Sequence, residues 1–129
     1  MTEKFEIYKC ELCGNLIQVL QSGAGHLICC GEEMKLESVQ YKEDELGEKH
    51  TPFFTKENDK KFINVTHHPM QEEHYIQFIE IFSPEKDELH LKFFNPQEHP
   101  KLETTHFPQL SEPLEYCNIH NLWGNKSNG

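Results

Sequence analysis

Four of the five cysteines, Cys10, Cys13, Cys29 and Cys30, fall in the first 30 residues, a stretch too short to fold by apolar burial alone. A chain below about 40 residues rarely assembles a sufficient core without a metal or a cross-link, so residues 1–36 depend on their thiols to fold. Cysteines in a reducing compartment serve metals more often than disulfides, and an odd total argues against complete pairing. The opening residues lack the basic-then-apolar pattern of a signal peptide, and no run approaches the roughly 18 apolar residues of a membrane span. The expected location is therefore the cytoplasm.

Charge narrows the partners. Twelve lysines, no arginine and 22 acidic residues give a formal charge of -10. Without arginine there are no bidentate forks for phosphates or base edges. The expectation is no nucleic-acid and no membrane partner.

From residue 37 onward the pattern turns strand-like: residues 36–41, 61–66, 75–82 and 88–94. In 88–93 the alternation places Leu89, Leu91 and Phe93 on one face and Glu88, His90 and Lys92 on the other. Frequent proline and glycine forbid long helices, and the charged run 41–47 reads as a strand end entering a solvated loop. About seven short strands over some 90 residues predict an all-β chain, a small metal-stabilised unit built on four cysteines followed by an immunoglobulin-like β-sandwich.

Cys10-Glu11-Leu12-Cys13 is a C-x2-C knuckle, and Cys29-Cys30 adds two thiols after 15 intervening residues. Four thiolates suit a tetrahedral site for zinc or a single iron, and spacing alone does not choose between them. Gly14 and Gly31 permit the tight turns that aim N–H groups at sulfur. Adjacent cysteines on an extended backbone point apart, so Cys29 and Cys30 reach one ion only through a turn.

Three further segments carry ligand chemistry: Glu48-Lys49-His50, His67-His68-Pro69-Met70 through His74, and Glu115-Tyr116-Cys117-Asn118-Ile119-His120. Cys117 and His120 are close enough for one turn to bring both to an ion, and His68 and His74 pair across a proline turn. Taken singly each is weak: a Glu-Lys-His triplet in a chain that is 26% charged reads as a solvated loop. His26, His67, His90, His99 and His106 read as surface or turn residues. Phe53, Phe54, Phe93, Phe94 and Trp123 read as core or site-wall aromatics.

Together, and in this order over residues 5–123, the four cysteines, Glu48-Lys49-His50, His68-Pro69-Met70, Glu73-His74-Tyr75-Ile76 and Glu115 to His120 resemble desulfoferrodoxin, the two-iron superoxide reductase family. The resemblance implies a desulforedoxin-like domain over 1–36 with an Fe(Cys)4 centre. It implies a superoxide reductase (neelaredoxin-like) sandwich over 37–129 whose catalytic iron is held by His50, His68, His74, His120 and Cys117. Glu48 and Lys49 match the family's mobile catalytic loop beside an open sixth position. Superoxide as substrate, a rubredoxin-like electron donor and a homodimer are also implied, with the Fe(Cys)4 site as a possible relay. Five ligands exceed zinc's usual four, and zinc passes no electrons. N–H groups of Asn118 and Ile119 are placed to hydrogen-bond the Cys117 sulfur, and Lys49 is the natural cation to draw an anion toward an acidic protein. Two readings from other classes stand beside this one: a non-catalytic iron-sulfur electron carrier, and a zinc-stabilised binding module.

Overall fold

The computed structural model describes residues 1–41, 45–106 and 112–126. The chain divides into two compact units, Met1–Ser38 and Val39–Gly129.

In the first unit, β1 (Ile7–Lys9) lies between β2 (Leu16–Gln18) and β5 (Lys35–Leu36) in an antiparallel sheet, and β3 (Ile28–Cys29) pairs with β4 (Glu32–Glu33) as a hairpin. Its buried apolar side chains are few, Phe5, Ile7, Cys10 and Val19, while Leu12, Leu20, Ile28 and Leu36 are exposed. So small a core fits a unit whose fold rests on its thiols.

In the second unit two antiparallel sheets face one another. One has the order β10-β7-β6, from β6 (Phe53–Glu57), β7 (Lys60–Asn64) and β10 (Lys101–Glu103); the other has the order β12-β11-β8-β9, from β8 (Ile76–Phe82), β9 (Leu89–Phe93), β11 (Pro113–Cys117) and β12 (Asn121–Gly124). The core joins Ile63, Val65, Ile76, Ile79, Ile81, Phe94, Leu102 and Cys117. Asn58 and Asp59, with φ of 50° and 66°, turn β6 into β7. Two central residues at positive φ mark the primed hairpin turns that match strand twist, and Asn and Asp tolerate that region.

Three expectations are corrected. Residues 45–47 do not continue a loop: Glu45–His50 is a short helix, α1, with Gly47 buried inside it, while residues 42–44 lie outside the described residues. The hydroxyl of Thr51 donates to the Gly47 carbonyl at 2.6 Å, Lys49 complements the helix's negative end, and Pro52 follows. Residues 36–41 do not form one strand. β5 ends at Leu36, and Gln40 makes only an isolated bridge to Trp123. Phe93 is 72% exposed, because β9 is the terminal strand of its sheet and only Phe78 of β8 lies across from it. Phe94, one residue on, turns inward and donates its N–H to the Gln77 carbonyl at 2.9 Å.

Candidate metal centres

The first cluster is built by two turns. After β1, the Cys10 N–H donates to the Asn15 carbonyl at 2.8 Å and the Gly14 N–H to the Cys10 carbonyl at 2.9 Å, with Gly14 at φ +86°. This knuckle folds Cys13 back toward Cys10. Between β3 and β4, Cys30 and Gly31 both take positive φ, 53° and 78°, so the chain reverses within the cysteine pair and both sulfurs turn to one side. One ligand atom from each of Cys10, Cys13, Cys29 and Cys30 lies within 4.8 Å of all the others, and no cysteine is in a disulfide.

The Cys13 N–H donates to the Cys10 sulfur at 3.4 Å, and the Asn15 side-chain amide to the Cys29 sulfur at 3.8 Å. Backbone N–H groups, that of Cys13 foremost, lower the Cys10 thiol to about 7. The neighbouring sulfurs of Cys13, Cys10 and Cys29 push Cys30 the other way, to about 12. Four sulfurs this close cannot all ionise unless a cation lies among them. The donor set fits a thiophilic metal.

The second cluster draws on four parts of the second unit. His50 ends α1, His68 and His74 sit in the connection between β7 and β8, Cys117 ends β11, and His120 lies in the turn to β12. The β8–β11 register shifts between Tyr116 and Cys117, setting Cys117 opposite Ile76 and on the core side. Such irregularities re-aim a side chain beside a site. Cys117 is fully buried and His50 only 1% exposed. His67 is exposed and His68 buried, while His26, His90, His99 and His106 are all exposed.

The four imidazoles form a square. Neighbouring ring centroids are 4.5 Å apart for His50–His68, 4.7 Å for His68–His74, 5.0 Å for His74–His120 and 4.9 Å for His120–His50. The His50–His74 diagonal is 6.4 Å, and neighbouring rings meet edge to face. The Cys117 sulfur lies 3.2 Å from His68 Nε2, and ligand atoms of all five side chains fall within 4.8 Å of one another. A square with a fifth donor is a different shape from the tetrahedron zinc prefers.

Protonation agrees with a metal at its centre. His68 Nδ1 is 2.6 Å from the Pro69 carbonyl, an acceptor only, so Nδ1 carries the hydrogen and Nε2 keeps its lone pair. That Nε2 nevertheless faces His50 Nε2 at 3.0 Å. His74 Nε2 and His120 Nδ1 are buried without a hydrogen-bond partner. Burial lowers the His68 imidazole to about 4 and lowers His74 as well. Buried nitrogens that converge on one point, two of them without a hydrogen-bond partner, fit a transition metal.

Burial raises the Cys117 thiol, and backbone N–H groups of His120 and Ile119 oppose that rise, the first at 3.4 Å from the sulfur. The expectation for Asn118 is corrected: its N–H donates to the Tyr75 carbonyl at 3.2 Å instead. Lys49 is exposed on α1, next to buried His50, and the side chain of Glu48 lies outside the described residues. Two supports stand behind the site, Trp123 as the site-wall aromatic expected of it and Gln40, which sequence spacing does not reveal. Trp123 stacks on His50 at 4.8 Å and donates Nε1–H to the His120 carbonyl at 2.9 Å. Gln40, 80 residues away, donates to the same carbonyl at 2.7 Å. On β11, Glu115 is fully buried, its two oxygens have no partner, and burial raises its carboxyl well above the usual range.

Comparison with known proteins adds the family. Residues 2–36 match the desulfoferrodoxin N-terminal domain and residues 42–126 the desulfoferrodoxin domain. A desulfoferrodoxin homolog of Archaeoglobus fulgidus is 42% identical over 125 residues, covering 95% of this chain and 98% of that protein. The desulfoferrodoxin of Syntrophotalea carbinolica is 42% identical over 131 residues, covering 98% and 99%. Desulforedoxin of Megalodesulfovibrio gigas is 53% identical over 34 residues, 26% of this chain and 92% of its own length. The crystal structure of a superoxide reductase from Treponema pallidum shares the fold, with a TM-score of 0.67 at 21% identity over 98% of this chain and all of that one. With both domains matched and relatives aligned almost end to end, the chain belongs to the desulfoferrodoxin family.

Proposed function

We propose that the chain is a superoxide reductase, which reduces superoxide by one electron, with two protons, to hydrogen peroxide and releases no oxygen. One observation carries this reading: a square of four imidazoles converging with a buried thiol. Iron held there would supply an exchangeable electron to a small oxygen anion.

The protein's own groups do the rest. His50, His68, His74, His120 and Cys117 are the ligands of the catalytic iron, and burial keeps His68 and His74 unprotonated and ready to bind. The N–H groups of Ile119 and His120 stabilise the Cys117 thiolate and temper the electron density it donates. Trp123 covers one face of His50 and keeps water from it. Lys49, exposed beside that ligand, would draw the anion inward, and Glu48 is assigned to the same catalytic loop by the family resemblance.

Cys10, Cys13, Cys29 and Cys30 hold the second iron as Fe(Cys)4, in a desulforedoxin-like domain over 1–36, with the catalytic sandwich over 37–129. Exposure of Cys13 and Cys30 favours electron entry there from a rubredoxin-like donor, making this centre a relay. Among the described residues no helix is long and apolar enough to cross a membrane; we place the protein in the cytoplasm, as a homodimer that removes superoxide under oxidative stress.

Metal analysis with an absorption spectrum after iron reconstitution tests the reading. Two irons per chain with separate ferric-thiolate bands support the reductase. One iron at the four-cysteine site supports a carrier, and zinc alone a binding module.

A further inference from the structure

His74 lies outside the regular strands. It precedes β8, which begins at Ile76, so no sheet ladder fixes it. Its own N–H and carbonyl are engaged in a tight turn with Gln71, at 3.1 and 3.0 Å. That turn is local and sets nothing about its distance from Cys117.

Asn118, which directly follows Cys117, reaches across to both neighbours of His74. Its Oδ1 accepts from the Tyr75 N–H at 2.9 Å, its Nδ2 donates to the Glu73 carbonyl at 3.1 Å, and its own N–H donates to the Tyr75 carbonyl at 3.2 Å. The amide orientation is fixed by these partners, since the oxygen meets a donor and the nitrogen an acceptor. Three hydrogen bonds thus bracket His74 from the residue adjoining the thiolate ligand. Asn118 is only half-buried and contributes nothing to the apolar core, so these bonds are its main structural work.

We propose that Asn118 is a positioning residue for the catalytic iron: its side chain sets the placement of the His74 imidazole against the Cys117 sulfur. This rests on the ligand assignment made above. Asparagine is the side chain that fits, because the site needs one acceptor and one donor on a short stem. Aspartate keeps the oxygen for Tyr75 but turns a second oxygen against the Glu73 carbonyl. Alanine loses both bonds and leaves the backbone contact alone.

The test compares iron-loaded parent, Asn118→Ala and Asn118→Asp. Three quantities are read: the thiolate-to-iron absorption of the catalytic site, the rate of iron release to a chelator, and the thermal midpoint of the metal-free chain. Partners behind a metal ligand typically govern affinity by about 10- to 100-fold. Asn118→Ala should release the catalytic iron at least about tenfold faster with a shifted thiolate band. The Fe(Cys)4 band should stay unchanged and the metal-free midpoint should stay within a few degrees of the parent. Asn118→Asp should fall between Ala and parent in release rate and band shift, and it serves alone if the alanine variant does not fold. Parent-like release and an unmoved band in the folded variants would overturn the proposal, as would a loss matched by an equal fall in metal-free stability, which marks a merely structural role. A parent without any thiolate band at the second site would instead refute the ligand assignment, so the two failures are distinguishable.

Discussion

Cys117 and Glu115, two residues apart on one strand, show how burial is used in opposite ways. The Cys117 sulfur receives N–H groups that oppose the burial penalty, whereas both Glu115 oxygens have no partner. Replacing the sulfur should therefore be specific. In Cys117→Ser a hard, mostly protonated hydroxyl takes the place of a soft thiolate, so the second iron should lose its thiolate band and its activity while the Fe(Cys)4 band persists. Affinity for that iron should drop by at least ~100-fold, beyond what removing a supporting partner costs; retained superoxide reduction would remove Cys117 from the ligand set. The buried titrating groups give a signed pH prediction. His68 titrates near 6.5 when unfolded and near 4 in the fold, so between those values the unfolded chain binds more protons and acid destabilises. Glu115 acts oppositely: its raised carboxyl favours the fold below about 4.5 and withdraws that support as pH rises. In metal-free Glu115→Gln the opposing group is gone. Its denaturation midpoint, followed by fluorescence of Trp123, the one tryptophan, should be level above pH 6.5 and fall toward pH 4. A midpoint flat across that window would contradict the buried, neutral histidine.

At the scale of elements, the two halves were legible to different degrees. The knuckle and the cysteine pair could be read because their chemistry is local in sequence, and Cys30 and Gly31 supply the reversal the pair requires. β9 announces itself by alternation, and β7 and β8 by apolar β-formers, but β11 does not, since all five of its residues are buried and no polar face exists to alternate with. α1 leaves no signal in the sequence for a different reason: six residues make too few turns to show an apolar stripe, and a glycine sits in the middle. The Gln40 contact to His120 spans 80 residues and depends on tertiary pairing, which local spacing does not encode. The division into units has its own test. Cys13→Ser should abolish the Fe(Cys)4 band and unfold the first unit, whose buried apolar side chains are few. The second unit keeps its own core and all five ligands, so one iron and a cooperative unfolding transition should remain. Loss of both irons together would show that the units do not fold independently.

For the whole molecule the difficulty is charge, because an anionic substrate must approach a protein of formal charge -10. Metals change this little: four thiolates with ferric iron contribute about -1, and one thiolate with ferrous iron about +1. A cation within about a Debye length, roughly 8 Å at physiological salt, outweighs more distant repulsion. Lys49→Ala should slow the second-order reaction by about tenfold at low salt and flatten its ionic-strength dependence, with iron content unchanged. An unchanged rate at low salt would place steering elsewhere, and lost iron would give the lysine a structural role in α1.

The central claim is that one buried iron, held by four histidines and Cys117, reduces superoxide without dismutating it. Its most direct test mixes anaerobically pre-reduced protein with a known quantity of superoxide in a single turnover, while hydrogen peroxide, oxygen and the thiolate band of the second site are followed together. The account predicts one peroxide for each superoxide consumed, appearance of that ferric band at the same rate, and no oxygen beyond spontaneous dismutation. One oxygen released for every two superoxides, or consumption of superoxide with the band at the second site silent, would contradict it.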